Sequence, residues 1–598
     1  MFALPRSSWD DYDRKLISKG GGVFPRTLKS IPLSREVRAM LEIAAETVTP
    51  AELLSAILKA PAELLYLGGI GTYVKAQTEG HLEVGDKTND ALRVNGSDLR
   101  VKVVGEGANL GLTQAGRIEF ALSGGKINTD AIDNSAGVDS SDHEVNIKIA
   151  TGILERTGVL NRAKRDRLLK SMTDDVAAHV LAHNYGQTLA LSLMDLDSSG
   201  ELEPHAQFMS RLEREGRLDR AVEGLPDTKL ITARADAGLG MTRPEEAVLL
   251  AYGKLELSHD IVASRAPDDP HFAAVLEGYF PKALRKYDEA LRRHRLRREI
   301  IATVVANDVV NRCGPSFPSR LMAAASCDTH AFVAGYEAAK AVLGLPALWD
   351  TVAGLDPAIP GQAPAAGQMA LFRRLAYTLR GETFWLARRA GRTGAGVAEL
   401  IKRYGPGTAI LRKLGPDVLS EVEQARTREQ IDRLVEAGAP EALAAQVANL
   451  QPLTTAVDLV DLAEASSWAL PNVARLYHQT GAAFAFDRLR VAAGGFTAGD
   501  AFERTAVRRL LGDLLAEQAT LTRSIMAFAA SPQAGETQES AQRAVASWTA
   551  LRHAAAEAAR KSIEEIEAAG GGWTFAKLTI ASAALRELAA SARVAKKG

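Results

Sequence analysis

The chain has 598 residues, of which 46% are hydrophobic and 24% charged, so it has ample apolar material for large buried cores and does not resemble a disordered protein. Its 72 lysines and arginines are balanced by 73 aspartates and glutamates, and this near-neutral charge provides no overall field to attract nucleic acid or an anionic membrane. At roughly 150 residues per domain, we expect about four domains or fewer large ones.

Cysteine use and the N-terminal sequence indicate the compartment. Cys313 and Cys327 are the two cysteines, which is too few for a disulfide framework or a cysteine-based zinc site. The N-terminus turns acidic after a short apolar run, unlike a signal peptide, and no run of about 20 apolar residues is found. We therefore expect a soluble, cytoplasmic protein without membrane or nucleic-acid partners.

Residues 1–150 have the pattern of an α/β segment, because glycine clusters alternate with short apolar runs. Thr49-Pro50-Ala51-Glu52 is a capping box that predicts a helix ending near Pro61. The runs ELLYL (63–67) and VKVV (101–104) predict buried strands that lead into glycine-rich loops. The run RIEFALSGG (117–125) is compatible with a strand or a short helix. A parallel sheet with crossover helices fits these elements.

Residues 151–598 are rich in alanine, leucine, arginine and glutamate at helical spacing, which predicts a long helical region. A capping box at residues 242–245 predicts the start of one of its helices. Glycine- and proline-rich stretches at 355–368 and 531–540 are possible boundaries within it, and a third break lies at 569–573. The fold class predicted is α/β followed by mostly α.

Three local patterns suggest ligand contacts, and each has a purely structural alternative. VVGEGANLG (103–111) begins like a dinucleotide fingerprint, but Leu110 stands where the third glycine belongs, so an ordinary strand-end loop is favoured. GGIGTY (68–73) allows close approach of a ligand or is simply a turn. Residues 134–144 place small polar groups before a helix predicted to start at Ser141, where Ser141 caps the helix or an anion binds.

Two further patterns are interpreted as structural. His179 and His183 have the spacing of a metal-binding pair, but the residues between them are apolar and no third ligand is evident, so we predict no metal site. The basic run LRRHRLRREI (291–300) has inward-facing apolar residues at helical spacing, which favours a solvated or acid-paired helix face over phosphate binding.

The sequence resembles the C-terminal part of the large, bacterial-type NAD-specific glutamate dehydrogenases. The resemblance covers essentially the whole chain and is strongest through about residue 330. The segments that carry it are LPRSSWDDYDRKLISKGGGVFPR (4–26), GGIGTYVKA (68–76), VGDKTNDALRV (84–94), the long run from VVGEGANLG to DHEVNIKI (103–149), MTRPEEAVLLAYGKLEL (241–257) and HRLRREIIATVVANDVVNRCG (294–314).

The resemblance implies a partial Rossmann-like, doubly wound segment in residues 1–150 and oxidative deamination of L-glutamate to 2-oxoglutarate and ammonia, with NAD as the hydride acceptor. EGANLGLT resembles EGANGPTT of the small hexameric glutamate dehydrogenases, which implies that Asn109 lies near the nicotinamide ribose. DNSAGVDSSDHE resembles their NAGGVTVSYFEW, which implies that Asn134 also approaches the ribose. By the same match, Val138 and Ser141 contact the glutamate side chain, Ser141 through the distal carboxylate, and this is compatible with a capping role for Ser141.

The family's acid/base lysine and its glycine-rich pyrophosphate loop match nothing here, so the catalytic group stays unknown and we expect little or no activity from the chain alone. The resemblance thus implies a homo-oligomer or an N-terminal half supplied in trans, which would cover an otherwise open half-sheet. The alternatives are one half of a split dehydrogenase and a non-catalytic helical interaction or regulatory module, or a remnant.

Overall fold

The fold is taken from a computed structural model that describes residues 7–356, 358–359, 362–497 and 501–593. The chain divides into two compact units. The first comprises Met1–His259 and Ala273–Ser316, and the second comprises Asp260–Phe272 and Phe317–Gly598. The division at residue 150 marks the predicted change from α/β to helical structure, and as a domain boundary it stays a prediction.

The strands of the described residues all lie in the first unit and form small two-stranded sheets. They are β1 (Ile31–Pro32), β2 (Thr47–Val48), β3 (Leu64–Leu67), β4 (Val74–Lys75), β5 (Val94–Asn95) and β6 (Val103–Glu106). β3 pairs in parallel with β6 and β4 in parallel with β5, whereas β1 and β2 are antiparallel. The strands predicted at ELLYL and VKVV are present, the second two residues later than predicted, and their parallel pairing is confirmed.

The prediction that these two strands are buried is wrong for one face of their sheet. Leu64, Tyr66 and Val103 are 56%, 66% and 42% exposed, while Leu67 and Val104 on the other face are buried. The register pairs Leu64 with Val103, so the exposed side chains share one face. A continuous apolar run does not distinguish burial of one face from burial of both, because that depends on what packs on the sheet. The buried face packs into a core that also contains Leu58, Val74, Leu92, Val94, Leu99, Val101, Leu112, Phe120 and Ile127.

The helices of the α/β part follow local capping signals. They are α1 (Arg35–Leu41), α2 (Pro50–Leu58), α3 (His81–Val84), α4 (Gln114–Leu122), α5 (Asp130–Asp133) and α6 (Ser135–Arg156). At the start of α2, the Glu52 amide donates to Thr49 Oγ1 at 3.3 Å and the Thr49 amide donates to Glu52 Oε2 at 2.7 Å. The predicted capping box and the end of the helix before Pro61 are therefore confirmed.

The segment that the sequence left open, residues 117–125, is mostly helical and belongs to α4. Thr113 caps this helix by accepting a hydrogen bond from the Gly116 amide at 3.0 Å. Gly116, Arg117 and Phe120 are its buried residues, which is helical spacing, whereas Leu122 is 62% exposed. The alternation of apolar and polar residues in RIEFAL, which is also compatible with a strand, therefore does not reflect strand structure.

The prediction that Ser141 begins and caps a helix is wrong. α6 begins at Ser135 after Asn134, so Ser141 lies two turns inside the helix, where its backbone amide is already paired with the preceding turn. The Ser-x-x-Glu pattern is short enough to occur inside a helix, and here the helix extends further towards the N-terminus. The polar residues before position 141 therefore lie on the helix itself.

The rest of the chain is helical wherever the structure describes regular elements, as predicted. Its helices in the order of the chain are α7 (Arg162–Lys170), α8 (Thr173–Arg214), α9 (Thr228–Asp236), α10 (Arg243–Ala263), α11 (Phe272–Tyr279), α12 (Lys282–Arg285), α13 (Asp288–Arg292), α14 (Arg297–Cys313), α15 (Phe317–Ala325), α16 (Thr329–Val342), α17 (Leu345–Ala353), α18 (Ala365–Thr393), α19 (Val397–Leu414), α20 (Glu421–Glu436), α21 (Glu441–Ala448), α22 (Ala456–Ser466), α23 (Leu470–Ala483), α24 (Phe486–Gly494), α25 (Ala501–Ala529), α26 (Gln538–Leu551), α27 (His553–Ala568) and α28 (Phe575–Arg593).

Helices end and begin again at each of the three predicted breaks of this region, and as boundaries between sub-bundles these breaks stay predictions. α10 begins directly after Thr242, as predicted, and the Thr242 amide and hydroxyl each donate to Glu245 Oε2 at 2.7 Å, which is the glutamate half of the capping box. The helical structure is interrupted between α17 and α18, where residues 357, 360 and 361 lie outside the described residues. It is interrupted again between α25 and α26 and between α27 and α28. In the basic run, Arg292 pairs with Asp288 at 2.9 Å while Leu291 and Ile300 are buried, which fits acid pairing, but the single helical pattern predicted for residues 291–300 is wrong because one helix ends at Arg292 and the next begins at Arg297.

The second unit is organised around α16, which is buried along most of its length. Gly335 allows the close approach of α18, because a Cβ atom at this position would lie 2.6 Å from Ala387 Cα. Within the described residues, no single helix is long and apolar enough to cross a membrane, although α16 and α17, bent by 69°, pass that test as a pair.

Candidate functional site

The candidate site lies where β3 and β6 end. The two strands are parallel, so their carboxyl ends meet at one edge of the sheet, and each continues into a glycine-containing loop. Ligands of open α/β sheets bind at this edge. The Ala108 amide continues the pairing by donating to the Leu67 carbonyl at 3.0 Å, which brings the loop that follows β6 beside the end of β3.

Gly105 in β6 and Gly107 in the loop that follows it leave room for the side chain of Tyr66, which lies across them. A Cβ atom on Gly105 would lie 3.3 Å from Tyr66 Cδ2, and one on Gly107 would lie 2.5 Å from Tyr66 Cζ. Leu110, at the position of the missing third glycine, has a φ of 59° and is 62% exposed. A leucine in this left-handed conformation is strained by about 1–2 kcal/mol, so the surrounding contacts must hold the loop in place.

A buried ionic network holds this loop. Arg117 of α4 donates to Glu106 through Nε at 2.7 Å and through Nη2 at 2.9 Å, and Arg117 Nη2 lies 3.2 Å from Asp130 Oδ1. The Leu112 amide donates to Glu106 Oε1 at 3.1 Å, and the Leu110 amide donates to Asp130 Oδ2 at 2.7 Å. Both ends of the loop are thereby attached to the same charged cluster.

The electrostatic balance of this network depends on Arg117. Glu106 is completely buried and Arg117 is 4% exposed. Burial raises the pKa of the Glu106 carboxyl, and the Arg117 guanidinium and the Leu112 amide oppose this by favouring the ionised form. The sequence analysis missed these residues. Two features of the sequence could have drawn attention to them: Glu106 lies between two glycines, and Arg117 lies among apolar residues. Neither feature indicates that the two side chains form an ion pair.

The structure brings together the two predicted cofactor-binding residues. Asn134 Nδ2 donates to Asn109 Oδ1 at 2.8 Å, although the residues lie 25 positions apart. Asn134 is at the N-terminus of α6, and Asn109 is an exposed residue of the loop after β6. Asp133, the neighbour of Asn134, accepts a hydrogen bond from the Glu106 amide at 2.9 Å, which fastens the start of α6 to the end of β6.

The two predicted substrate-binding residues lie further along α6. Val138 is 68% exposed and Ser141 is also exposed. Asn134, Val138 and Ser141 are spaced four and three residues apart, so they lie on one side of the helix and span about 10 Å along its axis. The four predicted residues therefore form one strip, from the Asn109–Asn134 pair to Ser141, in which Asn134 is half-buried and the other three are exposed, but Ser141 lies two turns beyond the N-terminal amides.

The chain is matched by two family models. The model described as "Bacterial NAD-glutamate dehydrogenase, catalytic domain" matches residues 1–194, and the model described as "Glutamate dehydrogenase, C-terminal" matches residues 238–587. The second match covers more than half of the chain. The chain therefore belongs to the bacterial NAD-specific glutamate dehydrogenase family.

Curated relatives agree with this assignment. The chain is 42% identical to an NAD-specific glutamate dehydrogenase of Pseudomonas aeruginosa over 81% of this chain and 30% of the relative. It is 39% identical to one of Halomonas elongata over 92% of this chain and 34% of the relative. It is 47% identical to one of Mycobacterium tuberculosis over 58% of this chain and 22% of the relative. The chain thus spans about a third or less of the length of these relatives.

Proposed function

We propose that this chain is the C-terminal part of an NAD-dependent glutamate dehydrogenase that converts L-glutamate, NAD and water into 2-oxoglutarate, ammonia and NADH. The observation that carries the proposal is the strip of residues that begins at the hydrogen-bonded Asn109–Asn134 pair, at the carboxyl edge of the β3–β6 sheet, and continues through Val138 to Ser141. Family membership supports this choice of chemistry.

Each residue of the strip has a proposed role. Asn109 and Asn134 orient the nicotinamide ribose, since the amide nitrogen of Asn109 and the amide oxygen of Asn134 make no hydrogen bond within the described part of the chain. Val138 contacts the methylene groups of glutamate, and the Ser141 hydroxyl donates to its distal carboxylate. When bound, NAD would supply the acceptor for the hydride of the glutamate α-carbon, and these residues would hold the two reactants in the required geometry.

We further propose that the exposed face of the β3–β6 sheet is covered in the active enzyme. Leu64, Tyr66 and Val103 present neighbouring apolar surface there, and exposed apolar patches of this kind mark contacts with other protein segments. The covering segment is either another part of the same dehydrogenase or a further copy of the chain. In this proposal it also contributes the acid/base lysine, because no lysine of this chain is assigned to that role.

The test is glutamate-dependent reduction of NAD by the purified chain alone and by the chain mixed with the remaining portion of a homologous dehydrogenase. We expect little or no activity alone and activity in the mixture. Ser141→Ala should raise the KM for glutamate by about 10- to 150-fold, which corresponds to losing a hydrogen bond of about 1.5–3 kcal/mol to a charged group. Asn109→Ala should instead raise the KM for NAD.

The neighbouring exposed residue Ser140 provides a matched control, because it lies about 100° away around α6. Ser140→Ala should leave both KM values unchanged. Equal effects of Ser140→Ala and Ser141→Ala would refute the assigned role of Ser141. Failure of a folded mixture to reduce NAD would favour the alternative of an interaction module or remnant.

A further inference from the structure

Three side chains with metal-binding atoms meet where α6 packs on α8. Asp139 and His143 lie one turn apart on α6, and His183 comes from α8. One ligand atom from each residue lies within 4.8 Å of the other two. His183 Nδ1 is 2.8 Å from Asp139 Oδ2, and His143 Nε2 is 3.7 Å from Asp139 Oδ1. The cluster thus uses His183 of the His179 and His183 pair, and its other two ligands come from a different helix.

His143 provides a second and independent indication of a missing ligand. Its side chain is completely buried, and neither ring nitrogen has a hydrogen-bond partner within the described part of the chain. The separation of 3.7 Å from Asp139 is too long for a hydrogen bond. A buried polar group without a partner is costly, and a native structure normally satisfies it with a protein group, a water molecule or an ion.

The ring of His143 is held in place by its neighbours. It stacks on Tyr279 with ring centroids 4.4 Å apart and an interplanar angle of 15°, and it lies nearly parallel to His183 with centroids 5.7 Å apart. Tyr279 is itself positioned by a hydrogen bond of 2.8 Å from Asn146 Nδ2. The Asp139 and His183 side chains are 25% and 48% exposed, so an ion can enter from that side.

The donor set determines the class of ion. Two imidazoles and one carboxylate suit zinc and similar divalent transition ions, whereas magnesium and calcium prefer oxygen ligands throughout. With metal–ligand bonds of about 2.1 Å and tetrahedral geometry, the ligand atoms lie about 3.4 Å apart. The observed separations of 2.8 Å and 3.7 Å from Asp139 lie on either side of this value, so ion binding requires Asp139 and the half-exposed His183 to adjust by rotation.

We propose that Asp139, His143 and His183 form a binding site for a zinc-like divalent transition ion that joins α6 to α8. Three protein ligands leave a fourth coordination position for water or another small ligand. His179 lies one turn from His183 on α8, and its ring centroid is 5.6 Å from that of His143, but it does not belong to the group whose ligand atoms all lie within 4.8 Å of one another. The proposal does not depend on glutamate binding by the neighbouring residues of α6.

The test measures metal content and stability of the full, untagged chain. The protein is stripped with a chelator, titrated with zinc and then with cobalt, and followed by mass-spectrometric metal analysis, thermal unfolding and the visible d–d absorption of cobalt. We expect one bound ion per chain, a raised Tm and a cobalt spectrum of tetrahedral type. His183→Ala and Asp139→Asn should each weaken binding by at least about 100-fold.

Because His183 and Asp139 are partly exposed, these two variants should fold even if a variant of the buried His143 does not. His259→Ala removes an exposed histidine outside the cluster, and it should bind the ion with unchanged affinity. Absence of zinc binding to the folded wild-type chain would overturn the proposal. So would binding that neither His183→Ala nor Asp139→Asn weakens.

Discussion

Replacing Arg117 by methionine should release the loop that carries Asn109. Arg117 is almost completely buried and makes hydrogen bonds of 2.7 Å and 2.9 Å to the fully buried Glu106. Methionine preserves much of the side-chain volume but leaves the Glu106 carboxyl without its cation. Removing one member of a buried ion pair costs about 3–5 kcal/mol, which is far more than the pair contributes relative to an apolar substitute.

The pH dependence of this variant follows from the same contacts. In the wild-type chain, burial raises the pKa of Glu106, and Arg117 opposes the effect. Without Arg117 the folded-state pKa of Glu106 rises further, so the loop of Arg117→Met should be most stable at low pH and lose stability as the pH rises through that raised pKa. A second substitution, Glu106→Gln, removes the uncompensated charge and should restore part of the loss.

The loss of local stability in Arg117→Met can be measured by hydrogen–deuterium exchange with mass spectrometry, in peptides that cover residues 103–122. A cost of about 3–5 kcal/mol corresponds to exchange that is faster by roughly two to four orders of magnitude. The control is Lys102→Met, which removes the exposed ion pair between Lys102 and Glu63 at the same strand, where the two side chains are 74% and 81% exposed. Its exchange should change less than about threefold.

The reasoning would be refuted if Arg117→Met exchanged like the wild-type chain in these peptides. It would also be refuted if the double variant with Glu106→Gln exchanged faster than Arg117→Met alone, because the cost is attributed to the unpaired carboxylate. With activity restored as described above, Arg117→Met should also raise the KM for NAD, since Asn109 loses its fixed position.

Two further predictions concern the second unit. Burial raises the pKa of Glu382 to about 8, so the stability that its neutral form contributes is complete below the ordinary pKa of about 4.5 and is lost as the pH rises towards 8. Glu382→Gln should flatten this pH dependence. At pH 8 it should raise the urea midpoint of unfolding, which corresponds to at most about 5 kcal/mol in unfolding free energy. Gly335→Ala should lower the Tm by an amount equivalent to about 1–3 kcal/mol or more, because the added Cβ would meet the Ala387 backbone. The control is Gly381→Ala, which lies on the same helix as Ala387 and has open space around it. This variant should have an unchanged stability or be more stable by up to about 1 kcal/mol.

Each of these has an outcome that contradicts it. A pH dependence of the urea midpoint that is identical in the wild-type chain and Glu382→Gln would show that Glu382 is not the titrating group. A Gly335→Ala variant that unfolds at the same temperature as Gly381→Ala would show that the close approach of α16 and α18 does not require glycine.

Much of the fold could be predicted from the sequence because its signals are local. The capping boxes at Thr49 and Thr242 involve residues three positions apart; the first forms with both of its bonds, and at Thr242 the bond to the Glu245 side chain forms where the helix begins. Short apolar runs bounded by glycine located β3 and β6 to within two residues. The same kind of signal misled at Ser141, since a pattern that spans four residues cannot show whether a helix already began one or two turns earlier.

Of the candidate site, the sequence by itself supplied the residue types and, through family resemblance, the four residues of the strip. Only the tertiary structure decided which side chains meet. Asn109 joins Asn134 across 25 positions, Glu106 pairs with Arg117 from the next helix, and His183 reaches Asp139 from 44 positions away. Capping and turn formation depend on contacts within a few residues, so the local sequence is enough to predict them. These pairings instead depend on how strands and helices pack against one another, which no local sequence pattern determines.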